Sequence, residues 1–253
     1  MSFLALLGPG LFAMTSLVIG LRLVMKRGGK DRLPALLIGI AFLGGGGFGQ
    51  PLFVLGHALG RQGSAIAFPL QAIALVSLDI SAVALWAFTW RVFRPTVGWA
   101  RTLVMIAFSA LAVSLFGQLA LTDLPLLDRS NPWFWLGFGF RALSAGWAAF
   151  ESLRYFGMMQ KRLNLGLADP LTTNRFLLWG MSASAVVLFY ATTAVSLAIG
   201  GSEVATAGPT IALGSFLGIE AAAAMWLAFF PPAIYRARFE GLRRDEGTEP
   251  DPR

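Results

Sequence analysis

The sequence predicts an all-α, polytopic membrane protein with seven transmembrane helices, the N-terminus outside and the C-terminus cytoplasmic. Three observations carry that prediction. The 253 residues are 56% hydrophobic and only 13% charged, too apolar for an ordinary soluble domain. Apolar stretches long enough to cross a hydrocarbon core of about 30 Å recur between short charged connectors. The basic residues fall almost wholly in alternate connectors, as retention of Lys and Arg on the cytoplasmic side requires.

The spans are read at about 3–25, 34–58, 66–90, 102–123, 132–157, 175–199 and 210–235. None shows the two-residue alternation of a barrel strand, and backbone groups in lipid must bond internally, so each is taken as a helix. The first span has no basic stretch before it and several basic residues after it, which predicts an uncleaved, N-out anchor. Arg22, Lys26, Arg27, Lys30 and Arg32, then Arg91, Arg94 and Arg101, then Arg154, Lys161, Arg162 and Arg175, then Arg236, Arg238, Arg243, Arg244 and Arg253 mark the inner face. Arg61 and Arg129 mark the outer one, and Arg141 alone stays within the bilayer. Residues 1–235 form the transmembrane domain on this reading. Residues 236–253 form a basic juxtamembrane segment followed by a disordered cytoplasmic tail.

The net charge of +7 is therefore spread along an inner rim. Its expected partner is a bilayer with anionic headgroups, with a membrane or cytoplasmic protein partner allowed and nucleic acid excluded. Three of the 20 basic residues are Lys and the rest Arg, a bias read as high-GC bacterial coding, so the predicted location is the inner (plasma) membrane.

The residue inventory excludes several chemistries. Cysteine is absent and His57 is the sole histidine, which removes thiol catalysis, bis-histidine haem and clustered imidazole metal sites. A retinal Schiff base needs a lysine amine inside the bundle, and Lys26, Lys30 and Lys161 all lie in connectors. No cofactor, no metal site and no catalytic residue are predicted, and the chain is not expected to be an enzyme.

Function is sought instead among polar groups in the spans. Asp79, Arg141, Glu151 and Glu220 sit away from span ends, where even lenient insertion scales charge about 2.5–3.5 kcal/mol for a central Asp or Arg. At about 1.5 Å per residue, Arg141 and Glu220 lie roughly 14 Å deep and Asp79 roughly 20 Å. The expected arrangement has Arg141 bridging Asp79 and Glu220. Gly137, Arg141, Ser144, Ala148, Glu151 and Tyr155 recur at three- and four-residue steps, which gives span five an inward polar face. Glu151 is expected to pair with Arg154, Arg22 or Arg91.

Span two carries Gly44-Gly45-Gly46-Gly47 ahead of Pro51, predicting either a broken helix with exposed carbonyls or close packing against a neighbour. Phe48-Gly49-Gln50 recurs as Phe116-Gly117-Gln118, a faint internal repeat. Gln50 and Gln118 would line an outward-facing vestibule if their helices adjoin, with Gln71 and Tyr190 nearby. Gly166, Asp169 and Pro170 read as a helix stop, a cap and a first turn, and Pro231-Pro232 as a kink in span seven. Trp86, Trp90, Trp133 and Trp135 are read as interface anchors.

The predicted binding residues are thus Asp79, Arg141, Glu220, Gln50 and Gln118. They suit a sensor or receptor-like protein with an outward-facing polar pocket that signals through a separate partner. Alternatives are a small ion- or proton-coupled transporter and a structural accessory subunit of a membrane complex.

Overall fold

A computed structural model describes residues 3–26, 32–60, 62–121, 130–205 and 208–245. Arg27, Lys30, Arg61, Arg129 and Arg253 lie outside the described residues, as does the tail from 246 onward, so the expectations for them are untouched.

Every element among the described residues is helical: α1 (Phe3–Val24), α2 (Arg32–Phe42), a π-helical segment (Leu43–Gly49), α3 (Gln50–Gly60), α4 (Ala67–Phe93), α5 (Gly98–Ala120), α6 (Pro132–Leu163), α7 (Pro170–Ala205), α8 (Gly208–Phe229) and α9 (Ala233–Asp245). Six rods are long and apolar enough to cross a membrane: α1, the continuous α2–π–α3 rod, α4, α5, α7 and α8. The α6 helix, the predicted fifth span, is not among them. Arg141, Glu151, Arg154, Lys161 and Arg162 dilute its apolar run. The chain thus has the helical, apolar character of a multi-pass membrane protein.

The packing closes a ring. α1 lies on α2, the π segment and α8; α4 on α2, α3 and the π segment; α6 on α4 and α7; and α7 on α8. α5 stands outside that ring, in the groove between α4 and α6. Small residues allow the close crossings on which the ring depends. A Cβ on Gly218 of α8 would stand 2.8 Å from the carbonyl carbon of Gly8 in α1, so those two backbones touch.

The glycine run is neither unwound nor broken, contrary to the broken-helix expectation. Its turns widen to π geometry while the rod stays continuous from Arg32 to Gly60. Pro51 offers no N–H to the turn before it, and the glycines let the widened turns press on both neighbours. Gly46 takes Phe12 and Ser16 of α1, and a Cβ on Gly44 would stand 2.8 Å from the Ser77 carbonyl oxygen of α4. Two hydroxyls of α4 reach carbonyls of this rod: Ser77 Oγ donates to Gly44 O at 2.9 Å and Ser81 Oγ to Ala41 O at 2.6 Å.

Helix ends follow local chemistry. Gly166 adopts φ +68° just past α6, where Leu167 N–H returns to Arg162 O at 2.9 Å. Asp169 then accepts from Thr172 N–H at 2.8 Å at the head of α7. Pro231-Pro232 terminate α8 at Phe229 and start α9, so span seven ends there instead of kinking through to Tyr235. Trp86 is a core residue and not an interface anchor: it packs with Val104, Ala107 and Trp147 and donates to Phe140 O at 3.2 Å. The Phe-Gly-Gln repeat has no common backbone, since its first copy begins in π turns and its second in the regular helix of α5.

Candidate functional site

Asn131 and Pro132 start α6 cleanly, Asn131 Oδ1 accepting from Trp133 N–H at 3.0 Å. From that start, Gly137, Arg141, Ser144, Ala148 and Glu151 all come to the buried side of the helix. Arg141 is 5% exposed and reaches α4, where its Nε donates to Asp79 Oδ1 at 2.7 Å. Ser144 Oγ donates back to Arg141 O at 2.6 Å. The pair is held by a single hydrogen bond: Arg141 Nη2 and Asp79 Oδ2 are both buried and neither has a hydrogen-bond partner.

Arg141 also forms part of the wall of a half-open cavity of about 640 Å³ within the helical ring. Every rod except α5 contributes to that wall. Most of it is hydrocarbon or aromatic, including Phe12, Val54, Leu78, Leu85 and Trp179. Several hydroxyls on the wall are already committed to backbone carbonyls: Ser81 to Ala41, Ser144 to Arg141, and Ser182 to Ala221 at 3.2 Å. Gln50 and Tyr190 share the wall with Arg141, and the Tyr190 ring meets Phe138 edge-on at 5.0 Å between centroids. Arg141 is the one charged side chain on it among the described residues.

The five residues singled out by sequence therefore separate. Arg141 and Asp79 meet, while Glu220 does not join them, so the expected three-residue bridge is not formed. The cavity-facing side of α8 carries Gly214, Leu217, Gly218, Ala221 and Met225. Glu220 lies on the same side as the exposed Phe216 and Ala223, one turn to either side of it. Its Oε1 is buried without a hydrogen-bond partner. Nor do Gln50 and Gln118 share a vestibule. Gln118 is buried in the seam between α5 and α6, where its Nε2 donates to Ser114 Oγ at 2.9 Å. The pocket wall is apolar with one charged group, in place of the polar lining that the sequence suggested.

A second ionic cluster lies toward the end of α6. Glu151, 1% exposed, accepts from Arg94 Nε at 2.7 Å and from Arg154 Nη1 at 3.0 Å. Arg154 was expected; Arg94 takes the place proposed for Arg22 or Arg91, whose guanidinium groups instead lie over Phe230 and Trp90. The sequence reading also missed Ser77 and Ser81, although their four-residue spacing on α4 placed two hydroxyls on one face. Among the described residues no group of three His, Asp or Glu side chains is gathered as a metal site would require.

No family model, curated protein or solved structure matches this chain.

Proposed function

We propose that the protein is a seven-helix sensor or receptor-like membrane protein, with its N-terminus outside, that binds a ligand inside the helical ring and signals through a separate partner. The observation that carries this reading is the cavity of about 640 Å³ with the buried guanidinium of Arg141 on its wall. That volume is in the range of small-molecule sites, and such sites pair apolar walls with a few placed polar groups. With α6 as the fifth span, the bundle has seven. The 32 residues of α6 extend about 48 Å, more than a bilayer core, and it packs between α4, α5 and α7 with Arg141 and Glu151 turned to partners. The inner rim of basic residues favours contact with anionic headgroups, and the preference for Arg over Lys favours the inner membrane of a bacterium.

The transporter alternative drew on the intramembrane carboxylates Asp79 and Glu220 and on a broken second span; the carboxylates are present, while the π turns are closed by packing and by Ser77 and Ser81. A proteoliposome experiment separates the two. Purified protein is expected to show no proton flux after a pH jump, while lipophilic compounds raise its unfolding temperature. Proton flux that disappears in Asp79→Asn would overturn the sensor reading.

A further inference from the structure

Resting on the ligand-cavity reading, we infer that the cavity takes an uncharged, largely hydrocarbon molecule with a hydroxyl or carbonyl oxygen, which accepts a hydrogen bond from the Arg141 guanidinium. Three observations meet at this point. Arg141 is buried and lines the cavity, and its Nε is the guanidinium nitrogen committed to Asp79, so a hydrogen-bond donor group with N–H capacity to spare stands at the wall. Asp79 is bound to the same guanidinium, which makes the pair neutral overall. No other charged side chain lines the cavity among the described residues. A carboxylate or phosphate entering there would bring a charge with nothing left to balance it, and an uncompensated charge in an apolar enclosure is strongly disfavoured. A hydroxyl or carbonyl meets the same donor without that penalty.

A fourth observation is the gap in the wall. α1 leans on α8 and α3 leans on α4, with no extensive packing between α1 and α3 beyond the π turns. Pro9 and Gly10 on one edge and Val54 and Leu55 on the other belong to the cavity wall and are exposed. Within a bilayer that gap faces acyl chains, so what passes through it arrives dissolved in lipid.

The test uses the full-length chain in nanodiscs and equilibrium binding of radiolabelled hexadecanol, hexadecanoate and hexadecane at a pH where the acid is ionised. Wild type is expected to bind hexadecanol at least tenfold more tightly than either of the others. Asp79→Asn, which leaves the guanidinium unbalanced, is expected to shift preference toward hexadecanoate by at least tenfold. Arg141→Met is expected to bind hexadecanol no better than hexadecane. Tighter binding of hexadecanoate to wild type overturns the uncharged ligand and leaves the cavity reading standing. Binding of none of the three overturns both. The wild-type comparison decides the matter even where a variant fails to fold.

Discussion

Arg94, in the connector after α4, donates through Nε to the buried carboxylate of Glu151 at 2.7 Å across 57 positions of chain. Arg154 meets the same carboxylate from one turn along α6, but is more exposed, 40% against 24% for Arg94. The two cations are therefore not equivalent. An exposed pair is worth about 0–1 kcal/mol, whereas breaking a buried one costs about 3–5 kcal/mol. Arg94→Met is expected to lose about 2–3 kcal/mol and Arg154→Met under about 1 kcal/mol, measured by unfolding in detergent. Equal losses would refute this ranking.

The hydroxyls of Ser77 and Ser81 tie the rod containing the π turns to α4. Each bond is worth about 1 kcal/mol. Ser77→Ala with Ser81→Ala is expected to lower stability by about 2 kcal/mol. Amide exchange should quicken across residues 43–49 and stay unchanged in α7. Uniform acceleration over the whole bundle would mean the serines act globally.

Close backbone contact makes Gly218 intolerant. A side chain there meets the Gly8 backbone, which has no rotamer to change, so Gly218→Ile is expected to cost more than about 3 kcal/mol or prevent folding. Gly139→Ala is the control: a Cβ at Gly139 has nothing within 4 Å, and the helix should gain up to about 1 kcal/mol. Thermal unfolding of the two variants checks both signs.

Topology is open to direct labelling, because the chain contains no cysteine. Gln62→Cys and Ser130→Cys are expected to react with an impermeant maleimide on intact cells. Thr96→Cys and Leu165→Cys should react only after permeabilisation. Labelling of Leu165→Cys in intact cells would remove α6 as a span.

Much of this arrangement is legible in the residues. The inward face of α6 follows from its spacing, and the turn before α7 follows from Gly166, Asp169 and Pro170. Glu220 shows what spacing leaves out. Counting along a helix gives depth but not rotation, and the alanines at 221–224 leave α8 without a periodic apolar stripe to fix its facing. The glycine run signals weak helix and close approach, yet the choice between unwinding and π turns depends on what α1 and α4 present to it. Arg94 lies beyond the apolar run of its span, and only the fold returns it to Glu151.

The wide turns between α2 and α3 also carry a torsional offset. Each residue of an α-helix advances the side chain by about 100° around the axis, and an i→i+5 turn accommodates one more residue than an α turn. The two halves of one continuous rod are thereby out of phase. Ile38 and Ala41 before the π segment and Gln50, Pro51 and Val54 after it nevertheless line one cavity, because the offset turns the second half onto the wall that the first half begins. Excising a single residue from 44–47 would bring the halves back into phase and swing that wall away from Arg141.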